Sequence, residues 1–461
     1  MVWRMIPRVR LPDRSVRDGA RSAFGLGRDA RRLRVVVDLD SVGEGIDRTL
    51  LLGFQWHPDV DLRPIRLSQV VLDREGGATI EQRVSDGERV TFVRAVANHV
   101  DVAEKILGRR LDGSDWAKRM ALVCLAELDG ADAFVTQSPD LLDLSARSTV
   151  TRSNTMSVEA GLALLGLFLR HRGDFTISQG EAWEKHLRRG SYYDLHAALL
   201  LPHIGRWMAR CPDSVAGEVR RPRVLVDAVL TRISRALRAR DALVAYLLMD
   251  AGFDPPDDAL LHLDTLLVAL RGAFDAAAGV THTAEQPDAK IKHPGWWNDG
   301  WCKRLKEGAP KLRPFLEPGG LLRDTCDIVN FLRAFVHSEP LEPVFAVDGL
   351  EVTSGSLLVP PHDDQSKFLA ALDAQGGREA WGIHPLGGGA WELGLHPFVE
   401  RALSWSSAAL DLLCTHVQVE RFGVGSQADE ESVLKDMVGR AGDAIIPVLA
   451  LGAVGPIPYV R

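Results

Sequence analysis

The sequence contains no CxxC pair, no HExxH, no GxSxG and no Walker A lysine loop, so no zinc-hydrolase, serine-hydrolase or P-loop chemistry is written in it. Its five cysteines (Cys124, Cys211, Cys302, Cys326 and Cys414) are odd in number and widely scattered, which argues against a disulfide framework or a structural zinc site. No run of about 18 apolar residues is free of charge or of Pro and Gly breaks, so no membrane partner is expected. The apolar stretch Ala444–Val460 is interrupted by Pro447, Gly452, Gly455, Pro456 and Pro458 and reads as a tail packed on the body. The N-terminus lacks the apolar core of a secretory signal, which with the unpatterned thiols points to a reducing, cytoplasmic setting. Lysine is scarce, 10 against 45 arginines. With abundant Ala, Gly, Val and Leu this reflects a GC-rich coding sequence and carries no mechanism.

What is present is 461 residues with 46% hydrophobic and 25% charged side chains, enough for two to four domains with ordinary cores. The net charge of -7 is uneven. Residues 1–34 hold ten arginines against three aspartates, +7, which leaves -14 for the rest. An acidic body is not a general nucleic-acid coat, whereas a basic arm over 1–30 is either a disordered leader or a contact for phosphate.

The hydrophobic patterning gives an α+β, mostly helical chain. A strand begins at Val35–Asp38, a second apolar run is Thr49–Phe54, and helical spacing covers Val90–Leu107 and Asp115–Leu128. Asp132–Thr136 reads as a strand, Pro139–Leu144 as a short helix, and Ser148–Arg152 as another strand. Ser157 reads as the N-cap of a helix over Val158–Arg170. This alternation predicts a Rossmann-like α/β domain over 31–155. Residues 156–290 read as a helical domain, including an arginine-bordered amphipathic helix over 224–240. Residues 291–461 hold two long helices, Leu321–Ser338 and Pro397–Val419, with a small β insertion over 343–395. That insertion contains a hairpin turning at Asp348-Gly349 and a glycine turn at 387–389.

The sharpest feature lies in Leu321–Leu341. With Asn330 set at zero on a helix of about 3.6 residues per turn, Arg323 falls near 20°, Asp327 near 60°, Arg333 near 300° and His337 near 340°. Five polar side chains share one stripe on an otherwise apolar helix, so they are either buried together or line a cleft. The segment Asn330-Phe-Leu-Arg333-Ala-Phe-Val-His337 resembles the terminal-helix motif of HEPN domains, in which an Arg and a His are separated by a short gap. The resemblance covers about 291–421 and its specific part is under ten residues. It implies a helical domain that dimerises, with RNA as a partner, and a metal-independent ribonuclease of toxin or phage-defence type, needing no cofactor. Arg333 would then bind phosphate and His337 act as acid and base, with Asn330 and Asp327 orienting them. These residue types suit the task, since an imidazole can shuttle the 2′-hydroxyl proton and a guanidinium can clamp phosphate oxygens. The preceding cations Lys303, Arg304, Lys306, Lys311 and Arg313, beside Trp301 and followed by Arg323, are candidate RNA contacts. The other reading of the same residues is a dimerising scaffold or sensor whose Arg–His–Asp network is buried and non-catalytic.

Two further constellations are weaker. Val35–Asp38 and Gly130–Ser138 bear a faint likeness to PIN-type nucleases, with Ser138 where a metal-binding Asp would stand. The carboxylates available there are Asp38, Asp40, Glu127 and Asp132, and a degenerate, non-catalytic domain is the favoured reading. His362-Asp363-Asp364 has the look of a metal-binding pair, but Asp before a helix is a common cap.

Overall fold

The computed structural model describes residues 31–84, 87–111, 113–147, 154–179, 182–186, 188–213, 215, 221–247, 255–285, 294–337, 341–348 and 351–423. The basic arm 1–30, the strand expected over Ser148–Arg152 and the apolar tail Ala444–Val460 lie outside them. The protein is α+β and mostly helical, with a small parallel sheet. Among the described residues no helix is long and apolar enough to cross a membrane. The chain divides into two compact units, one of residues 1–172 and 248–250, the other of 173–247 and 251–461.

The first unit is built on β1 (Leu33–Asp38), whose Val35, Val36 and Val37 are all buried, as in a parallel strand covered on both faces. α1 (Ile46–Gly53) follows, where the sequence offered only an apolar run, and leads to β2 (Val60–Ile65), parallel to β1. The chain then makes an antiparallel meander, β3 (Val70–Leu72), β4 (Ala78–Val84) and β5 (Gly87–Val93), before α2 (Val96–Leu107) and α3 (Ser114–Leu128). The helix expected from Val90 therefore begins only at Val96. Val90 and Phe92 stand on one exposed face of β5, and this period of two was hidden at the head of a helical pattern. β6 (Ala133–Val135) pairs parallel with β1 on the side opposite β2. α4 (Pro139–Arg147), β7 (Thr155–Met156) and α5 (Val158–His171) complete the unit. Ser157 caps α5 as expected, its Oγ accepting from Ala160 N at 3.3 Å. In the strand order β2-β1-β6-β7 the chain runs outward both ways from β1, which opens a crevice beyond the carboxyl ends of β1 and β6.

α5 belongs with this sheet because Gly161 brings it onto Val135 of β6.

The second unit opens with a hairpin, β8 (Thr176–Gln179) and β9 (Ala182–His186), within a stretch read as wholly helical. α6 (Arg189–Leu200) and α7 (Ile204–Arg210) are separated at Leu201-Pro202. The long α8 (Pro222–Leu247) and α9 (Pro255–Glu285) pack against each other and carry the core. α8 is amphipathic as expected, with Arg221 just before it and Arg235 and Arg238 on it exposed, and Val226, Val229, Leu230, Ile233 and Leu237 buried; the departures are Arg240, which is buried and paired with Asp241 and Glu400, and Val224, which is exposed. α10 (Asp299–Gly308), α11 (Arg313–Leu316) and α12 (Leu321–His337) follow. α12 packs on α9 and on two later helices, α13 (Gln365–Ala374) and α14 (Leu395–His416). This is why middle and C-terminal helices form one unit. Between α12 and α14 lie β10 (Glu342–Asp348), β11 (Glu351–Val359), β12 (Ile383–Gly387) and β13 (Ala390–Gly394), in the order β10-β11-β13-β12. The antiparallel pairing of β10 with β11, closing at Asp348 and Glu351, and the glycine turn at 387–389 fall where the sequence placed them.

Edge strands β2, β10 and β12 each contain a proline (Pro64, Pro343, Pro385), whereas the central strands β1, β6, β11 and β13 contain none. Proline has no amide to offer a ladder, so it is tolerated at an edge.

A Cβ on Gly161 would come within 2.6 Å of Val135 Cγ2. Gly161→Ala gains about 1 kcal/mol in helix propensity, but overpacking costs roughly 1–3 kcal/mol. We therefore expect a net fall in melting temperature, read by circular dichroism; a rise would show that α5 does not sit against β6 at this distance.

Candidate functional site

α12 sorts the polar stripe by rotation. Arg323, Asp327, Asn330 and Ala334 follow one another at helical spacing and line a cleft of about 180 Å³. Its other walls are Trp297 before α10, Asp299 at the start of α10, His362 and Asp364 before α13, and Lys367 and Phe368 in its first turn. Trp297 is held there by the fold of Trp296-Trp297-Asn298. Trp296 is buried, with its Nε1 donating to Phe274 O at 2.8 Å, and Asn298 Oδ1 caps α10 by accepting from Trp301 N at 3.1 Å. The indole of Trp297 then faces the cleft and donates from Nε1 to Cys326 O at 3.2 Å. Phe331 and Phe368 stack with centroids 4.3 Å apart and form the apolar floor.

Within the cleft Arg323 donates from Nε to Asp327 Oδ2 at 2.9 Å and from Nη1 to Asp299 at 3.2 Å. Lys367 pairs with Asp364 at 3.2 Å. His362 packs edge-on against Phe331, and its Nδ1 accepts from the amide of Asp364 at 3.1 Å. That bond leaves the hydrogen of the neutral ring on Nε2. Asp364 sits at the N-cap of α13 without a side-chain capping bond, so the expected capping role is not made and its carboxylate serves Lys367. Among the described residues no group of three or more His, Cys, Asp or Glu could hold a metal ion.

Arg333 does not line the cleft. It lies half-buried on the α9 side of α12, and its Nε is buried without a hydrogen-bond partner. Among the described residues it has no ion-pair partner either. Its neighbour is Arg271 of α9, which stacks over the Trp297 ring and donates from Nη1 to Asn330 Oδ1. Burial lowers the Arg271 pKa, Asp275 raises it and the Arg333 charge lowers it again. The Arg333 charge is thus felt at Arg271, which has a 3.5 Å contact to Asp275 to offset it. Asn330 and Asp327 do not orient Arg333: the first is bonded to Arg271 and the second to Arg323, because their positions on α12 point away from Arg333. His337 ends α12, one turn beyond Arg333, and its side chain lies outside the described residues.

The remaining candidate RNA contacts are dispersed. Lys303 and Arg304 are exposed on α10, Lys306 pairs with Glu317 at 3.0 Å, and Arg313 lies 3.7 Å from the same carboxylate. Lys311 is exposed, with its charge acting on His416. Trp301 cannot stack on a base from among them, since it is fully buried and its Nε1 donates to His282 Nδ1 at 3.2 Å. Arg271, Trp297 and Lys367 were not anticipated, and His362 was considered only as a metal-binding candidate. Arg271 carried one signal, being the only Arg or Lys in the 31 residues of α9.

In the first unit the crevice holds Asp38, fully buried, which accepts from Arg119 Nε and Thr136 Oγ1, each at 3.1 Å. Ser138 N donates to Thr136 Oγ1 at 3.1 Å. Asp40 accepts from Leu67 N at 2.6 Å, and Asp132 is at the other end of the sheet, paired with Arg31 at 2.6 Å. These residues do not fit a divalent ion, because Arg119 already supplies the cation at Asp38 and Asp132 is too far along the sheet to share a ligand. The chain matches no family model, and no curated protein or solved structure is significantly similar to it.

Burial pushes the Asp327 carboxyl up against the pull of Arg323, and burial pushes Asp324 up against the bonds from Gln375 and Gly319. A carboxyl raised in the folded state favours folding below its ordinary pKa, and that contribution is lost as pH rises through the raised value. The melting-temperature difference between Asp324→Asn and wild type should therefore shift toward the variant as pH rises through this window. A difference that stays constant with pH would refute the assignment.

Proposed function

We propose that the second unit targets RNA and that its primary contact is a phosphate held by Arg271 and Arg333. The observation that carries this reading is the guanidinium of Arg333, half-buried beside another arginine and without a carboxylate partner. Like charges in a partly buried place are costly unless an anion joins them, and arginine forks match phosphate oxygens. The HEPN-like resemblance of Asn330–His337 points the same way and supplies the finer proposal, metal-independent cleavage in a toxin or phage-defence role, by a domain that pairs with a second copy. In that chemistry His337 takes the 2′-hydroxyl proton and the 2′-oxygen attacks phosphorus. The 5′-oxygen then leaves with a proton, giving a cyclic phosphate and a 5′-hydroxyl end. The arginines offset charge on the phosphoryl oxygens. The first unit is read as a Rossmann-like domain without metal catalysis.

The competing reading, a dimerising scaffold with a buried polar network, draws on the closed Arg323–Asp327–Asp299 pairing. Arg333→Ala separates the two. If Arg333 is a phosphate ligand, the variant loses RNA affinity at least tenfold by fluorescence anisotropy, while its melting temperature is unchanged or higher because repulsion with Arg271 is relieved. If Arg333 belongs to a structural network, melting falls by several degrees and RNA affinity does not discriminate. Cleavage is read on total RNA in EDTA, where wild type should cut and His337→Ala should not; equal activity of the two ends the catalytic assignment.

A further inference from the structure

We infer that the cleft on α12 receives one unstacked guanine base of the bound RNA, with its phosphate on the neighbouring Arg271–Arg333 pair; this rests on the RNA reading given above. Size comes first. A cleft of about 180 Å³, open on one side to solvent, has room for a single ring system. Its lining is mixed, with the indole of Trp297 at one wall, Phe331 and Phe368 beneath and polar groups at the rim.

The polar groups decide which base. Asp327 is an acceptor, and Arg323 Nε takes only one of its oxygens, leaving Oδ1 open. A carboxylate is best met by two adjacent N–H donors. Guanine presents such a pair, N1–H and N2–H. Adenine and cytosine set one amino group beside a ring nitrogen that would repel the carboxylate, and uracil sets one N–H between two carbonyls. Asn330 completes the match. Arg271 holds its Oδ1, which turns Nδ2 into a donor with no partner among the described residues and suits it to guanine O6. The Nε2–H of His362, fixed by the Asp364 amide on the opposite ring nitrogen, is a further donor for guanine N7. Asn330 touches both Arg271 and the cleft, so base and phosphate sites adjoin.

The test compares fluorescein-labelled heptanucleotides, UUUGUUU against the same strand with A, C or U at the centre, binding to the full chain in EDTA. The guanine strand should bind at least tenfold tighter than the other three. Asp327→Asn should abolish that preference while keeping the affinity common to all four strands. Ala334→Leu, which fills the cleft on a helix that tolerates leucine, should do the same, so the result does not hang on one variant's folding. If all four strands bind equally and Arg333→Ala still weakens them, the guanine site is refuted and the RNA reading stands. If no strand binds, both fail. A preference that survives both cleft variants places the specificity elsewhere and overturns the inference.

Discussion

The packing of α9 on α12 places Arg271 where it feels the Arg333 charge, and that repulsion is opposed by the apolar contacts of α12. Ile328, Val329, Leu332 and Phe335 are buried on the rest of α12, so the helix cannot rotate to carry Arg333 away from α9 without exposing them. Arg271 is fixed from its other side by Asn330 and by the ring of Trp297. The polar face of the unit is organised around this constraint. Asn330 is turned by Arg271, and Trp297 is clamped between Arg271 and the backbone of Cys326 at the cleft wall. What reaches solvent as a cleft is thus set from behind, by a charge pair that does not line it.

The sequence made one half of this arrangement readable and concealed the other. Spacing on a single helix put Arg323, Asp327 and Asn330 on one face, and they do line one cleft. The same wheel grouped Arg333 with them, although about 60° of rotation is enough to move a side chain from a cleft to an interhelical seam. Arg271, 59 residues from Asn330, and His362, 32 residues beyond it, could not be found from local periodicity, since only tertiary packing makes them neighbours. Trp301 shows the limit of composition: an indole flanked by lysine and arginine looked like a base platform, yet the helix it lies on turns it inward to His282. Turn chemistry was legible at Gly387-Gly388-Gly389, where all three residues take a positive φ that few other residues allow. The meander β3–β5 escaped because its last strand runs almost directly into a helix, and two periods overlap in the same window.

The buried aspartate of the first unit shows how a similar surface pattern can carry different physics. A strand ending in Asp and a neighbouring strand ending in Thr meet as the sequence suggested, with the hydroxyl donating to the carboxylate. The neutralising charge, however, is an arginine of α3. A guanidinium is planar, directional and bound by its own chain. Asp38 therefore ties a helix to a strand end, and the second carboxylate that an ion would need at its side is spent on Arg31 at the far margin of the sheet.

Pro64, Pro343 and Pro385 occupy the outermost strands of the two four-stranded sheets. Each interrupts the row of amides that a foreign strand would need for docking. Intermolecular β-extension, the usual first step toward fibres, is thereby blunted at three margins.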